Sequence, residues 1–163
     1  MYRIAIITAS DRCAAGERQD LSGIAIEEAC HEFGQVTSYK LIADERSAIS
    51  GELTRLCDED LADVVFTTGG TGFSLRDVTP EATLDVVERL APGIPEAMRA
   101  YSATKTNRAM LSRAIAGIRR KTLIVNLPGS PKAVRECLEA ILPALGHGLN
   151  IIRQNEEDCG TSE

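Results

Sequence analysis

The sequence predicts an α/β protein in which helices cover both faces of a mostly parallel sheet. Short apolar runs alternate with amphipathic stretches of roughly 10 to 14 residues, and this alternation is typical of βαβ crossovers. Two further β-rich runs, 113–119 and 122–127, are close enough in sequence that we expect one short antiparallel edge or hairpin. We expect residues 1–152 to form one domain, followed by an acidic, flexible tail over 153–163.

Apolar runs identify the strands, and start and stop signals identify the helices between them. Asp20 or Ser22 can cap the first helix, and Gly34 stands where a left-handed residue often ends one. Thr79 and Pro80 match the cap and the first position of a later helix. In chain order we expect a strand over 2–8, a helix over 24–33, a strand over 36–42, a helix over 47–58, a strand over 61–68, helices over 79–90 and 95–105, strands over 113–119 and 122–127, and helices over 132–142 and 144–152.

Composition excludes several classes of function. The net charge is −6 at pH 7 and aromatic residues make up 4%, so neither a basic surface nor a stacking platform for nucleic acid is expected. No apolar run approaches the roughly 18 residues of a membrane span, and the N-terminal residues do not resemble a signal peptide. The five cysteines are widely spaced without a CxxC pair, which favours reduced thiols in the cytoplasm.

The segment Thr68–Gly72 lies between a predicted strand and a predicted helix and is rich in glycine. Because glycine has no Cβ, the backbone can turn sharply there, and its N–H groups can converge on an anion such as phosphate. Asp77 follows in the same loop, and a phosphate would repel its carboxylate unless a cation lay between them. The segment therefore predicts a phosphate site with a divalent metal. The alternative is that the glycines serve only the turn, which leaves Asp77 unexplained.

Polar residues also follow the other predicted strands. In parallel α/β folds, ligands sit beyond the carboxyl ends of the strands. Mg²⁺ usually binds one or two carboxylates together with phosphates and waters, so Asp44 and Asp77 are candidate magnesium ligands. Each acid alone is also typical of a helix cap or a turn. The strand ends lead into Ser10 and Asp11, into Asp44, into Thr68–Gly72 and into Asn126–Ser130.

Ser112 and Arg113 offer a hydroxyl and a planar guanidinium, both of which suit a phosphate. An exposed arginine at the start of an edge strand is the alternative. Other common motifs are absent from the sequence, which contains no GxxxxGK[ST], no GxGxxG and no GxSxG. The residues thus indicate metal-dependent phosphate chemistry without naming the substrate.

A series of motifs runs in one order along the chain, from Tyr2 to about Arg153. Its most specific part is Thr68–Gly72 followed by Arg76–Ala82. The other parts are Ser10 and Asp11, Asp20–Gly23, Asp44 and Glu45, Met110–Arg113, Gly117–Arg119 and Asn126–Ser130. This series resembles that of the MogA/MoaB family of molybdenum-cofactor biosynthesis proteins, to which the N-terminal domain of gephyrin is related.

The resemblance implies a three-layer α/β/α sandwich, usually assembled as a homotrimer, and the activity of a molybdopterin adenylyltransferase. Such an enzyme uses Mg²⁺ to transfer AMP from ATP to the molybdopterin phosphate, with release of pyrophosphate. By position in the motifs, Asp44 and Asp77 would be the metal and catalytic residues. The substrate-binding residues are expected to be Ser10, Asp11, Thr68, Gly69, Gly70, Thr71, Gly72, Ser112, Arg113, Asn126, Pro128, Gly129 and Ser130.

The sequence departs from the family pattern at Leu75, where many relatives have proline, and at Asn107 and Arg108, which replace a proline-containing pair. The alternative function is a molybdopterin-binding or scaffold protein without nucleotide transfer, as in some MoaB-like members. A CinA-like relative acting on a different nucleotide fits the motifs less well. The expected partners are molybdopterin, ATP and a downstream molybdenum-inserting protein, with no nucleic acid and no membrane.

Overall fold

The protein forms a six-stranded sheet with helices on both faces, in a computed structural model that describes residues 1–154. Nearly all of the expected acidic tail falls on residues 155–163, which lie outside the described residues. Within the described chain, no helix is long and apolar enough to cross a membrane. In chain order the elements are β1 (Tyr2–Ala9), α1 (Asp11–Ala14), α2 (Leu21–Cys30), β2 (Gly34–Ile42), α3 (Arg46–Asp58), β3 (Val64–Thr68), α4 (Thr79–Leu84), β4 (Arg89–Leu90), α5 (Gly93–Ala103), a 3-10 helix (Asn107–Leu111), β5 (Ala116–Arg119), β6 (Thr122–Leu127) and α6 (Pro131–Arg153).

The strand order of the sheet is β2-β1-β3-β6-β5-β4. The first four strands in this order pair in parallel, whereas β5 is antiparallel to both β6 and β4. The predicted mostly parallel sheet with a short antiparallel edge is therefore confirmed. Because the four parallel strands are neighbours, their carboxyl ends lie together along one edge of the sheet.

Each face of the sheet has its own hydrophobic core, because successive strand residues point to opposite faces. Ile4 and Ile6 of β1 belong to one cluster, which also contains Leu138 of α6 and residues of α2 and α5. Ile7 belongs to the other cluster with Leu53 of α3 and a residue of α4. Two helical layers around one sheet give the predicted three-layer α/β/α sandwich.

The prediction of two C-terminal helices is wrong, because α6 continues through Pro143. Leu138 and Ile141 before the proline and Leu145 and Leu149 after it are all buried. Burying one such side chain stabilises the fold by about 1.5–3 kcal/mol, so together they outweigh the roughly 3 kcal/mol that a proline costs inside a helix. Tertiary packing therefore maintains the helix where local sequence predicts a break.

The helix predicted from Thr79 to about residue 90 ends at Leu84, and Arg89–Leu90 forms strand β4 instead. The preceding backbone N–H of Glu88 already donates to the carbonyl of Ile118 in β5 at 2.9 Å. Sheet pairing thus overrides a weak helical pattern. Thr79 is the first residue of α4 and not its cap.

Asp20, one of two candidate caps, accepts from the N–H groups of Ser22 and Gly23 at the start of α2. The prediction for Gly34 is wrong, since this residue opens β2 and does not end a helix. A Cβ there would overlap the carbonyl of Tyr2, so close strand approach requires the glycine. Helix α1 and the 3-10 helix were not predicted, because segments so short carry no periodic pattern.

Candidate functional site

The predicted site residues lie mainly in loops at the carboxyl ends of the four parallel strands. Ser10 follows β1, Asp44 follows β2, and Thr68–Gly72 begins at the end of β3. Pro128–Ser130 follows β6. We call these four loops the rim. The structure thus brings together segments that are far apart in the sequence.

A reciprocal pair of hydrogen bonds joins Asp11 to Asp44. The N–H of Asp11 donates to Oδ2 of Asp44 at 3.0 Å, and the N–H of Asp44 donates to Oδ1 of Asp11 at 2.9 Å. These bonds tie the end of β1 to the end of β2. The bond from the N–H of Asp11 holds Oδ2 of Asp44 in place, so the backbone of Asp11 orients the Asp44 carboxylate.

Asp11 and Asp44 differ in how well nearby positive charge neutralises their carboxylates. Burial raises the pKa of Asp44, and the carboxylates of Asp11 and Asp77 raise it further. By contrast, the guanidinium of Arg76 donates to both carboxylate oxygens of Asp11 at 2.9–3.1 Å and lowers the pKa of Asp11. Arg76 also reaches Glu45 at 3.4 Å. The charge of Arg76 also acts on Asp44 but does not offset burial and the neighbouring carboxylates, so a cation bound at Asp44 would relieve the repulsion that remains.

The first part of the glycine loop is shaped by the fold itself. Gly69 and Gly70 have φ angles of +89° and +63°, a region that favours glycine. A Cβ on Gly69 would overlap the carbonyl of Ala9 at the end of β1. The hydroxyl of Thr68 donates to the carbonyl of Pro128 at 2.7 Å. The loop is thus held between β1 and the segment after β6. The fold alone requires glycine at position 69, whether or not a ligand binds there.

Gly70 and Gly72 instead lie beside the two predicted metal ligands. A Cβ on Gly70 would lie 3.3 Å from Oδ1 of Asp44, and a Cβ on Gly72 would lie 2.8 Å from Oδ2 of Asp77. The same oxygen of Asp77 accepts from the N–H of Ser74 at 3.1 Å. The loop backbone therefore lies directly against both carboxylates, and a side chain at either glycine would crowd them.

The donor atoms at this point suit a hard cation. Asp44 and Asp77 supply carboxylate oxygens, and the buried hydroxyl of Thr79 finds no hydrogen-bond partner within residues 1–154. In the same residues, no group of three or more His, Cys, Asp or Glu side chains could hold a metal. Oxygen donors in small number fit Mg²⁺, which completes its shell with substrate phosphates and waters.

Arg113 is engaged within the protein. Its guanidinium donates to the carbonyls of Gly72 at 2.7 Å and Asp77 at 2.6 Å and pairs with the carboxylate of Glu81. Its backbone N–H donates to the carbonyl of Thr71 at 2.9 Å. Contact of Arg113 with a substrate phosphate stays a prediction, while the structure shows that this side chain holds the loop that carries Asp77.

Asn126 lies inside the fold and is fully buried. Its amide nitrogen donates to the hydroxyls of Thr67 and Thr83 at 2.9 Å each, and its Oδ1 accepts from the N–H of Ile115 at 3.2 Å. These bonds connect β3, α4 and the approach to β5. The structure therefore places Asn126 in the interior beneath the rim, and its contact with a substrate stays a prediction.

A cavity of about 410 Å³ lies between α5, the 3-10 helix and the start of α6, and we call it the basic pocket. Three predicted residues, Ser112, Pro128 and Ser130, contribute to its wall. Sequence reasoning assigned no site role to its four basic side chains, although two of them, Lys105 and Arg108, closely precede Ser112 in the sequence. Basic side chains around serine hydroxyls suit a ligand that carries a phosphate. These four are Arg99, Lys105, Arg108 and Lys132.

Ser10, Gly69 and Gly129 line a second, smaller cavity of about 170 Å³. Asp20, which the sequence indicates as a candidate helix cap and as part of the motif series, also lines it. Burial alone would raise the pKa of Asp20, but hydrogen bonds, including one from Thr8 at 2.5 Å, outweigh burial and lower the pKa. Each cavity is thus lined by three of the thirteen predicted substrate-binding residues, and the loop after β6 contributes to both.

Comparisons with known proteins point to one family. Residues 5–147 match the family model described as a probable molybdopterin binding domain. The chain is 48% identical over 155 residues to a molybdopterin adenylyltransferase of Helicobacter pylori, covering 93% of this chain and 88% of that protein. It is 42% identical over 149 residues to one of Escherichia coli K12, covering 89% and 76%. The molybdopterin biosynthesis enzyme MoaB of Thermus thermophilus superposes with a TM-score of 0.89 at 46% identity, covering 94% and 98%.

Proposed function

This chain belongs to the molybdopterin-binding family of molybdenum-cofactor biosynthesis proteins, and we propose that it is a molybdopterin adenylyltransferase. An oxygen of the terminal phosphate of molybdopterin forms a bond to the α-phosphorus of ATP. The bond from that phosphorus to the bridging oxygen breaks, and pyrophosphate leaves. The family match over residues 5–147 and the adenylyltransferases at 42% and 48% identity support this assignment.

The observation that carries the proposal is the approach of two carboxylates to the glycine loop. Oδ1 of Asp44 and Oδ2 of Asp77 face the positions that side chains on Gly70 and Gly72 would occupy. Asp44 and Asp77 would hold Mg²⁺ there, and the loop backbone would leave space for the ATP phosphates. When bound, Mg²⁺ would neutralise negative charge around the phosphorus under attack.

We assign molybdopterin to the basic pocket. The hydroxyls of Ser112 and Ser130 and the basic side chains of Lys105 and Arg108 suit the phosphate of the pterin. Of the other two basic side chains, Arg99 donates to the carbonyls of Ser112 and Ala114, and Lys132 lies 4.0 Å from Glu136, which also lines the pocket. The hydroxyl of Thr68 donates to the carbonyl of Pro128, so the wall of the pocket is bonded to the loop assigned to ATP. The two substrates would therefore meet at the Thr68–Gly72 loop.

Asp44→Asn and Asp77→Asn test the assigned roles, because asparagine keeps the shape and removes the charge. In an assay of AMP transfer from ATP to molybdopterin with Mg²⁺, each variant should lose on the order of 100-fold or more in kcat. Asp85→Asn is the matched control, since Asp85 is an acid paired with Arg46 at the surface. Full activity in both site variants would remove Asp44 and Asp77 from the mechanism.

The alternative is a protein that binds molybdopterin in the same pocket and transfers no nucleotide. Titration of ATP with and without Mg²⁺ separates the two functions. Tight, metal-dependent ATP binding supports the enzyme, whereas pterin binding without ATP binding supports the scaffold. A different nucleotide accepted in place of ATP would favour CinA-like chemistry.

We further propose a homotrimer in the cytoplasm that passes its product to a molybdenum-inserting protein. The trimer is inferred from the family resemblance, and light scattering that gives a monomer at micromolar concentration would contradict it. The proposed location is supported by the cysteines within residues 1–154, which are buried and unpaired. Burial raises the pKa of Cys30 to about 12 and that of Cys57 to about 11, so both stay protonated thiols.

A further inference from the structure

Thr79 carries a buried hydroxyl that no other described residue uses. The residue is 0% exposed, and its Oγ1 is one of two buried side-chain oxygens in residues 1–154 without a hydrogen-bond partner. Its backbone is fixed, since its N–H donates to the carbonyl of Gly70 at 3.1 Å and its carbonyl accepts from Thr83 Oγ1 at 2.9 Å. Buried hydroxyls in proteins are almost always bonded, so this one calls for a partner that the chain itself does not supply in this arrangement.

The hydroxyl borders the same small space as one oxygen of Asp44. A Cβ on Gly70 would overlap Oγ1 of Thr79 and lie 3.3 Å from Oδ1 of Asp44. The absence of a side chain at Gly70 therefore leaves both oxygens facing one point. The other oxygen of Asp44, Oδ2, already accepts from the N–H of Asp11 at 3.0 Å. Within residues 1–154, no group donates to Oδ1.

We propose that Thr79 is a positioning residue of the cation site, whose hydroxyl donates a hydrogen bond to Oδ1 of Asp44 when a divalent cation is bound. The Asp11 N–H and the Thr79 O–H would then hold the carboxylate from two sides and direct its remaining lone pairs at the cation. The inference rests on the proposed function, because it takes Asp44 as a cation ligand. A purely structural Thr79 would not need its hydroxyl, since valine has the same shape.

The test measures Mn²⁺ binding to the protein from the paramagnetic resonance signal of free Mn²⁺. An ATP analogue with a methylene group between the α- and β-phosphates is present, so that no AMP is transferred. Thr79→Val keeps the volume and removes the hydroxyl, and Thr79→Ser keeps the hydroxyl. We expect Thr79→Val to raise the Kd for Mn²⁺ about 10-fold and Thr79→Ser to stay within about two-fold of the wild type. We also expect the Tm of metal-free Thr79→Val to equal or exceed that of the wild type, because no hydrogen bond of the metal-free protein is lost.

Three results would overturn the assignment while leaving the proposed function intact. The first is wild-type Mn²⁺ affinity in Thr79→Val. The second is equal weakening in Thr79→Val and Thr79→Ser, which would implicate packing. The third is a clear fall in the Tm of metal-free Thr79→Val, which would show that the hydroxyl is already bonded. A wild-type protein that binds no Mn²⁺ with the analogue would instead remove the proposed function, and the role of Thr79 with it.

Discussion

Gly70, in the rim, and Asn126, beneath it, each occupy a position whose neighbours require that type of residue. Gly70 has φ +63° and lies against both Thr79 and Asp44. Asn126 fills a buried position with three hydrogen bonds to different elements. The first residue is expected to matter for ligand binding and the second for folding, and the two roles give different experimental signatures.

Gly70→Ala should reduce both stability and activity. The new Cβ would overlap the Thr79 hydroxyl and approach Asp44, at a backbone conformation that disfavours alanine. We expect a loss of about 1–3 kcal/mol in the free energy of unfolding and a loss of Mn²⁺ binding. Gly51→Ala is the control, because Gly51 lies in α3 with open space around its Cα and should gain up to about 1 kcal/mol. Denaturant unfolding of both variants measures the difference, and equal stability would contradict it.

Asn126→Ala should lower stability without changing the KM for either substrate. Removal of the amide leaves the N–H of Ile115 without its acceptor and the hydroxyls of Thr67 and Thr83 without the donor of Asn126, while Thr83 keeps its bond to the carbonyl of Thr79. We expect a loss of about 2–4 kcal/mol in the free energy of unfolding. Asn107→Ala, at an exposed position, should be close to neutral. A raised KM for molybdopterin at unchanged stability would restore Asn126 to the substrate site.

At the scale of elements, Arg113 connects the segment before β5 to the glycine loop and to α4. It contacts the carbonyls of Gly72 and Asp77 and the carboxylate of Glu81. Ser112, the residue before it, lines the basic pocket. The segment that lines the proposed molybdopterin pocket is therefore bonded to the loop that carries Asp77, the proposed metal ligand.

Arg113→Lys separates two roles for this side chain. A lysine ammonium cannot bridge the same three acceptors as a guanidinium fork, so the Asp77 loop should shift. We expect kcat to fall on the order of 10-fold while the KM for molybdopterin stays within about two-fold. Arg55→Lys, on the surface of α3, is the control. If the KM rises and kcat does not change, Arg113 is a phosphate ligand and not a loop support.

Asp60 links the two ends of the described chain through ion pairs. Asp60 pairs with Arg3 of β1 at 2.9 Å and with Arg153 of α6 at 2.6 Å. Arg153 first, and then Arg3, lower the pKa of Asp60 to about 2, although burial opposes this shift. The cluster lies at the opposite edge of the sheet from the rim, so it affects stability without touching the site.

The stability of the wild type should therefore fall in acid partly through Asp60. A lowered pKa in the folded state means that the stabilisation is present above the unfolded pKa of about 4 and is lost as the pH falls through about 2. Since Asp60 is more than half exposed, screening limits the effect to about 1 kcal/mol or less. Asp60→Asn should lose that amount at pH 7, and its difference from the wild type should shrink as the pH falls below about 4 toward 2. Urea unfolding of both proteins across this pH range measures the difference in their free energy of unfolding, and their activity at pH 7 should be equal. A stability difference that does not change with pH would contradict the role of Asp60.

Local patterns in the sequence are sufficient to predict the class of the fold and the location of the rim. Strands and helices follow from local hydrophobic periodicity, and a parallel sheet necessarily brings the carboxyl ends of its strands to one edge. Asp11, Asp44 and the Thr68–Gly72 loop could therefore be predicted together. Several motifs in a common order were enough to identify the family.

Which hydrogen-bond donor reaches which acceptor depends on how distant segments pack in three dimensions. Pro143 stays helical and Arg89–Leu90 becomes a strand because packing and sheet pairing outweigh local preference. Arg113 and Asn126 have the chemistry of ligand-binding residues, but the fold uses their donors internally. The basic pocket and the hydroxyl of Thr79 were not foreseen for the same reason. A hydrogen bond forms only when donor and acceptor are placed to within a few tenths of an ångström. When the two groups belong to segments far apart in the sequence, no local pattern encodes that distance.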